Sequence, residues 1–139
     1  PDIATTESFR RTLLNAKSVA FSKDGGSGAY FLRLLDRLGI AQAMTPKLRP
    51  GANTQNAVAS GEVEMTVNGI VPILRAHGIE LVGPLPPDLQ SYSTFFGGIS
   101  AATKEVETAT ALLRFLTAPA AAAVFKKHGV EPVPPADRG

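Results

Sequence analysis

The segment from Ser18 to Gly39 has the sequence SVAFSKDGGSGAYFLRLLDRLG and contains the strongest secondary-structure signals of the chain. It begins with a short apolar run, passes through a glycine-rich turn and ends in the clearest helical pattern of the chain. The apolar residues of that pattern share one helix face: Phe31, Leu34, Leu35 and Leu38. Gly39 follows as a C-terminal stop. A buried strand, a tight turn and an amphipathic helix in this order predict one unit of an α/β domain.

Further helices and strands are predicted on both sides of this segment. Before it, Thr5 or Thr6 is placed to cap a first helix whose apolar face consists of Phe9, Leu13 and Ala16. After it, further strands are predicted over 44–48, 63–68 and 79–82, an extended segment over 92–100, and two last helices over 104–117 and 119–127. Strands that alternate with helices predict an α/β fold, with a mostly parallel sheet and helices on both of its faces.

The composition excludes several classes of protein. The chain has 139 residues, of which 44% are apolar and 19% charged, so it can bury a core. Its net charge of +2 is scattered, whereas a nucleic-acid protein concentrates basic residues on one face. Thiol catalysis, thiolate zinc sites and disulfides are excluded because there is no cysteine. The histidines, His77 and His128, are far apart, and we expect neither a metal site nor a cofactor.

Two loops are the candidate ligand site. In open α/β sheets, ligands bind beyond the carboxyl ends of the strands, where helices begin. The first loop contributes Gly26, Ser27, Gly28 and Ala29, and the second contributes Asn53 and Thr54. Two helix starts that converge there would bind a small anion through backbone N–H groups and hydroxyls. The spacing matches neither a dinucleotide fingerprint nor a P-loop, and the glycines can equally serve only the turn.

Other candidate residues are weaker. His77 and His128 each precede a glycine, which is typical of a helix C-terminus. Glu62 and Glu64 are expected to face solvent rather than to form an acid–base pair. No nucleophile-elbow pattern is present. This inventory contains no convincing catalytic set, and it predicts that the chain is not an enzyme.

Five segments resemble extracellular solute-binding proteins of the molybdate-binding type. They lie at residues 4–9 (ATTESF), 16–22 (AKSVAFS), 26–31 (GSGAYF), 81–90 (LVGPLPPDLQ) and 111–120 (ALLRFLTAPA), and the likeness extends over about residues 1–133. The resemblance implies one lobe of a two-lobed periplasmic binding protein that delivers a small anionic or polar solute to the membrane permease of an ABC transporter.

The resemblance also implies a division of the chain. Residues 1–100 would be the inserted ligand-binding lobe with a return crossover strand, and 101–130 the C-terminal helices that complete or bridge to the other lobe. Residues 131–139 would be an extended tail. The N-terminal part of the first lobe would be absent, which would leave the apolar faces of the last helices uncovered. We therefore expect the chain to self-associate.

The family pattern implies ligand contacts at Ser27, Gly28 and Ala29, near Asn53 and Thr54, and at the end of the third strand. Molybdate binders that resemble this chain usually have a tyrosine at that last position, where this chain has Asn68. An amide both donates and accepts hydrogen bonds, so a carboxylate becomes possible beside an oxyanion. The alternative is the effector-binding domain of a LysR-type transcription regulator, which has a similar two-lobed architecture.

Overall fold

The computed structural model describes residues 1–133, and it divides into two compact units at Ser91 and Tyr92. The first unit contains a parallel three-stranded sheet in the order β2-β1-β3. Its strands are β1 (Val19–Ser22), β2 (Leu48–Gly51) and β3 (Met65–Val67). Its α-helices are α1 (Thr6–Asn15), α2 (Gly26–Arg37), α3 (Ala41–Met44), α4 (Thr54–Ala59) and α5 (Ile70–Arg75). The predicted α/β class with a parallel sheet is confirmed.

The central strand explains why this unit is stable. Val19, Ala20 and Phe21 are all buried, although consecutive residues of a strand point to opposite faces of a sheet. The sheet is therefore covered on both of its faces, as parallel sheets require. The buried apolar cluster is Phe9, Leu13, Ala16, Val19, Phe21, Phe31, Leu34, Leu35, Ile40, Met44 and Leu89. It includes the predicted apolar faces of α1 and α2, with Leu38 partly buried beside it.

The first helix begins as its sequence predicts. Thr5 is the N-cap, and its Oγ1 accepts a hydrogen bond from the Ser8 backbone N–H at 3.1 Å. The Ser8 hydroxyl oxygen in turn accepts from the Thr5 backbone N–H at 3.0 Å, which completes a capping box. Two backbone donors that no turn of the helix could satisfy are thus paired.

Of the predicted strands, the one over 44–48 is displaced and the one over 79–82 is wrong. Residues 41–47 form α3 and a 3-10 turn, so β2 begins only at Leu48. Met44 is fully buried within that helical turn, and Pro46 in the 3-10 turn has no N–H for a strand ladder. Residues 79–82 form no strand, because the chain enters a proline-rich connector at Pro84. That connector ends in a second 3-10 turn, Pro87–Leu89, and Leu89 inserts into the core.

The second unit begins at Tyr92. It contains α6 (Val106–Leu116) and α7 (Pro119–Lys127), which bend by 58° at the break between them. Only if these two helices are counted together do they have the length and hydrophobicity of a membrane span, and no single helix of the described chain does. Residues 92–100 are exposed and form no strand, so the expected crossover strand is not formed.

The predicted division at residue 100, between the ligand-binding lobe and the C-terminal helices, stays a prediction. The compact units of the structure are divided at a different point of the chain, between Ser91 and Tyr92. The extended tail was predicted over 131–139. From Pro134 onward it lies outside the described residues.

Candidate functional site

Three loops meet at the carboxyl edge of the sheet. Because the strands are parallel, Ser22, Gly51 and Val67 all end at that edge. The loop after β1 leads into α2, the loop after β2 leads into α4, and Asn68 directly follows β3. The Lys23 N–H donates to the Gly51 carbonyl at 3.4 Å, so the first two loops are also joined to each other.

A chain of side-chain hydrogen bonds connects these loops. The Ser27 hydroxyl donates to Asn68 Oδ1 at 3.1 Å, and Asn68 Nδ2 donates to Thr54 Oγ1 at 3.1 Å. Ser27 and Asn68 are half-buried, whereas Thr54 is only 1% exposed. The structure thus brings together one predicted site residue from each loop. We call Ser27, Thr54 and Asn68 the polar crevice.

Gly28 lies beneath the crevice for a steric reason. A Cβ atom at this position would lie 1.7 Å from the Ser22 carbonyl oxygen, so only glycine lets α2 begin this close to β1. Gly28 is buried, and its N–H donates to the Gly25 carbonyl at 3.1 Å. Its role in the structure is the close packing of strand and helix, which places Ser27 at the crevice.

The remaining predicted site residues lie at the surface. Gly26, Ala29 and Asn53 are exposed, and no heavy atom lies within 4 Å of a Cβ built on Gly26. Asn53 is the N-cap of α4 by its backbone, but its side chain makes no capping hydrogen bond. Because α4 has only six residues, we assign no anion-binding role to its N-terminus, and that end of the crevice depends on the Thr54 side chain.

Sequence reasoning missed two residues beside the crevice. Ser22 ends β1, and its Oγ would lie 2.7 Å from a Cβ on Gly25, so it borders the same loop. Gln55 Oε1 accepts a long hydrogen bond of 3.4 Å from the Thr54 hydroxyl. Ser22 could have been predicted from the sequence, because it is the last residue of β1 and lies at the same edge of the sheet as Asn68.

The crevice is electrically neutral. Its three side chains are two hydroxyls and an amide, and neither α4 nor residues 68–74 contain a charged residue. Lys23 and Asp24 are exposed in the loop after β1 and have opposite charges. Arg49, on β2, donates instead to the carbonyls of Pro46 and Leu48. A ligand here would therefore be held by hydrogen bonds rather than by an ion pair.

The weaker candidates lie elsewhere. The Glu64 carboxylate accepts a 2.6 Å hydrogen bond from the Lys17 backbone N–H, which precedes β1, so it belongs to the opposite edge of the sheet. His77 is exposed in the turn after α5. Within residues 1–133, no group of three His, Asp or Glu side chains could hold a metal ion. A groove of about 320 Å³ is lined by residues 1–4 and 82–86, and it contains none of the predicted site residues.

A parallel sheet with a polar crevice at its carboxyl edge is typical of α/β ligand-binding domains. The family model of bacterial extracellular solute-binding proteins matches residues 1–131. The chain belongs to this family, which confirms the solute-binding class implied by the resemblance. The family is extracellular and thus implies an extracytoplasmic location.

A curated relative is the aconitate isomerase of a Pseudomonas species. It is 32% identical over 137 residues, which are 96% of this chain and 52% of the relative. The chain thus spans about half the length of the curated relative that it matches. No solved structure matches the chain.

This relative contradicts the prediction that the chain is not an enzyme, because its name is that of an isomerase. The prediction depended on a search for nucleophile, metal and acid–base patterns. Such a search does not detect a site in which uncharged hydrogen-bond donors hold and polarise a reactive acid.

Proposed function

We propose that the complete protein binds a small polycarboxylate, of the size and charge of aconitate, at the polar crevice. The observation that carries this proposal is the hydrogen-bond chain from Ser27 through Asn68 to Thr54. It gathers two hydroxyls and an amide from three loops at the edge of the sheet where α/β proteins bind ligands. Carboxylate oxygens accept hydrogen bonds from such groups.

Two further observations favour a carboxylate over molybdate. By the resemblance, Asn68 takes a position at which molybdate binders usually have a tyrosine, and its amide offers an N–H to a carboxylate oxygen. In addition, the relative that is 32% identical is named for aconitate, an unsaturated tricarboxylic acid. The molybdate type remains an outcome of the test below.

The name of the relative favours isomerisation of the bound acid as the activity of the complete protein. Interconversion of two isomers about a carbon–carbon double bond is possible when a base takes one proton from the carbon chain and then returns a proton to it. The two hydroxyls and the amide of the crevice are not such a base, so the proton acceptor is a group other than these three. The negative charge that develops in between spreads onto a neighbouring carboxylate. Hydrogen-bond donors on that carboxylate stabilise this charge. We assign this role, together with orientation of the acid, to the crevice.

The family favours a second candidate, in which the protein releases the acid unchanged. It would then be a periplasmic component that delivers the solute to the membrane permease of an ABC transporter. Both candidates share the ligand and the crevice, and they differ in whether the acid leaves chemically altered.

The test is a thermal-unfolding screen of the full-length protein with cis- and trans-aconitate, citrate, malate, sulfate and molybdate. A ligand at 100 times its Kd stabilises the folded state by about 2.7 kcal/mol, which raises the Tm by several degrees. We expect stabilisation by the polycarboxylates. Proton NMR of each aconitate isomer with the protein then separates the candidates, since only an isomerase converts one into the other.

Ser27→Ala tests the crevice itself. Loss of one hydrogen bond should weaken polycarboxylate binding by about 0.5–1.5 kcal/mol. Ser60→Ala is the matched control, because Ser60 is exposed at the far end of α4 and its hydroxyl donates to the Ala57 carbonyl, away from the crevice. Stabilisation by molybdate alone, or equal affinities in Ser27→Ala and the unmodified protein, would reject the proposal.

A further inference from the structure

The direction of the hydrogen-bond chain in the crevice is fixed by a backbone group. The Gly69 N–H, which can only donate, lies 2.8 Å from a side-chain atom of Asn68, and this atom must therefore be the oxygen Oδ1. The amide nitrogen then faces Thr54 Oγ1, and the Ser27 hydroxyl donates its proton to Oδ1. The Gly69 N–H thus determines which end of the Asn68 amide is the oxygen and which is the nitrogen.

The Asn68 amide has one N–H that makes no hydrogen bond within the described chain. Oδ1 accepts two hydrogen bonds, from Ser27 and Gly69, which is the usual capacity of a carbonyl oxygen. Nδ2 has two N–H groups, and within the described chain it donates one of them, to Thr54. One N–H of Asn68 is therefore available to a ligand at the crevice.

Ser27 can also turn towards a ligand at little cost. If its hydroxyl donates to a ligand oxygen instead, Asn68 Oδ1 keeps the Gly69 N–H and is not left unpaired. Thr54 Oγ1 accepts from Nδ2, and rotation of the amide would turn Nδ2 towards the Gly69 N–H and set two donors against each other. The amide is therefore held in this orientation. Asn68 is thus held from both ends while Ser27 exchanges its partner.

We propose that Asn68 is the residue that makes the crevice selective for ionised carboxylates. Its amide oxygen and nitrogen hold Ser27 and Thr54 in position, and its remaining N–H binds one carboxylate oxygen while the Ser27 hydroxyl binds the other. This inference rests on the proposed function and adds to it the residue that determines selectivity for a negatively charged ligand. Because the crevice is neutral, a carboxylate in place of this amide would make the crevice repel negatively charged ligands.

Asn68→Asp is the decisive variant, because it has the shape of the native residue. Asp Oδ1 can accept from Ser27 and Gly69 as before, but the second oxygen faces Thr54 and the ligand with a negative charge. Like charges in contact should raise the Kd for trans-aconitate about 100-fold or more at pH 8. At lower pH the introduced carboxyl, whose pKa is about 4 in water and is raised by a bound anion, becomes a neutral donor.

The measurement is calorimetric titration of the full-length protein with trans-aconitate between pH 4.5 and 8. The ratio of the Kd of the variant to that of the unmodified protein removes the ionisation of the ligand from the comparison. We expect this ratio to fall at least tenfold from pH 8 to pH 4.5. The other charged groups of the neighbouring loops, Lys23, Asp24 and Arg49, are the same in both proteins.

Asn56→Asp is the matched control, since it adds the same charge at an exposed position of α4. Its ratio should stay within about threefold at every pH. If Asn68→Asp fails to fold, as circular dichroism would show, Asn68→Ala replaces it and should weaken binding about tenfold without dependence on pH.

The outcomes separate the two proposals. If the unmodified protein binds the acid and the Asn68→Asp ratio is small or constant with pH, the role of Asn68 is wrong while the proposed function stands. If the unmodified protein binds no polycarboxylate, the proposed function fails and the assignment to Asn68 fails with it.

Discussion

The two units of the molecule contain helices with similar amphipathic patterns, but the apolar face is buried in one unit and exposed in the other. In the first unit, α2 has 12 residues and buries its apolar face, with Phe31 completely buried. In the second unit, α6 has 11 residues and an equally clear apolar face, yet Phe115 is 68% exposed. Among residues 92–133, no side chain is fully buried.

The difference lies in what each helix packs against. α2 follows β1 directly and lies against the sheet, and the ring centroids of Phe21 and Phe31 are 6.1 Å apart. α6 contacts α7, whose side chains are themselves largely exposed. Amphipathic spacing therefore predicts that a helix forms, whereas a partner surface decides whether the apolar face is buried.

Truncation of a phenylalanine should affect the free energy of unfolding much more in the first unit than in the second. Phe31→Ala should lower the free energy of unfolding by about 3–5 kcal/mol, because it leaves a cavity in the core of the first unit. Phe115→Ala is the same change on an exposed side chain and should cost less than about 0.5 kcal/mol. Urea unfolding followed by circular dichroism measures both. Equal losses would mean that α6 is as well packed as α2.

A second pair of variants compares two glycines of the same turn. Gly28→Ala places a Cβ against the Ser22 carbonyl and should destabilise the protein by about 1–3 kcal/mol, because β1 and α2 must move apart. Gly26→Ala meets no heavy atom within 4 Å and replaces a poor helix former in the first turn of α2. It should leave the Tm unchanged or slightly higher. A neutral Gly28→Ala would show that strand and helix are not in such close contact.

Much of the first unit could be predicted from the sequence, because local signals and packing agree there. Thr5 caps its helix, and the i, i+4, i+7 face of α1 is the face that the core buries. The strand errors arose where local signals were short. The window 44–48 joins the last residue of α3, Met44, to the first residue of β2, Leu48, so its apolar residues belong to two different elements.

The candidate site was predictable to a smaller extent. Loop positions pointed to Ser27 and Thr54, the family resemblance pointed to Asn68, and the structure joins these three by hydrogen bonds. Sequence could not show that Gly28 serves the contact with Ser22, because that depends on the distance between two elements. Nor could it show that the Asn53 side chain stays outside the network, since the backbone cap and the side-chain cap are separate features.

The smallest expected effect concerns the second unit. Its exposed apolar residues on α6 lie at helical spacing: Leu112, Phe115 and Leu116. A contiguous apolar face of this kind associates with another apolar surface, and we expect weak self-association of the 139-residue chain. Analytical ultracentrifugation should show an average mass that rises with concentration above the 14.5 kDa of the monomer.

Phe115→Ser should weaken that association about tenfold or more, because burial of a phenylalanine side chain contributes about 1.5–3 kcal/mol. Arg114→Gln is the control, since it changes an exposed polar neighbour and leaves the apolar face intact. A constant mass of 14.5 kDa up to millimolar concentration would instead mean that these side chains are exposed without being adhesive. The contrast between α2 and α6 would then concern only the partner that each has in its own unit, because an amphipathic face of this size would not be enough to bring two chains together.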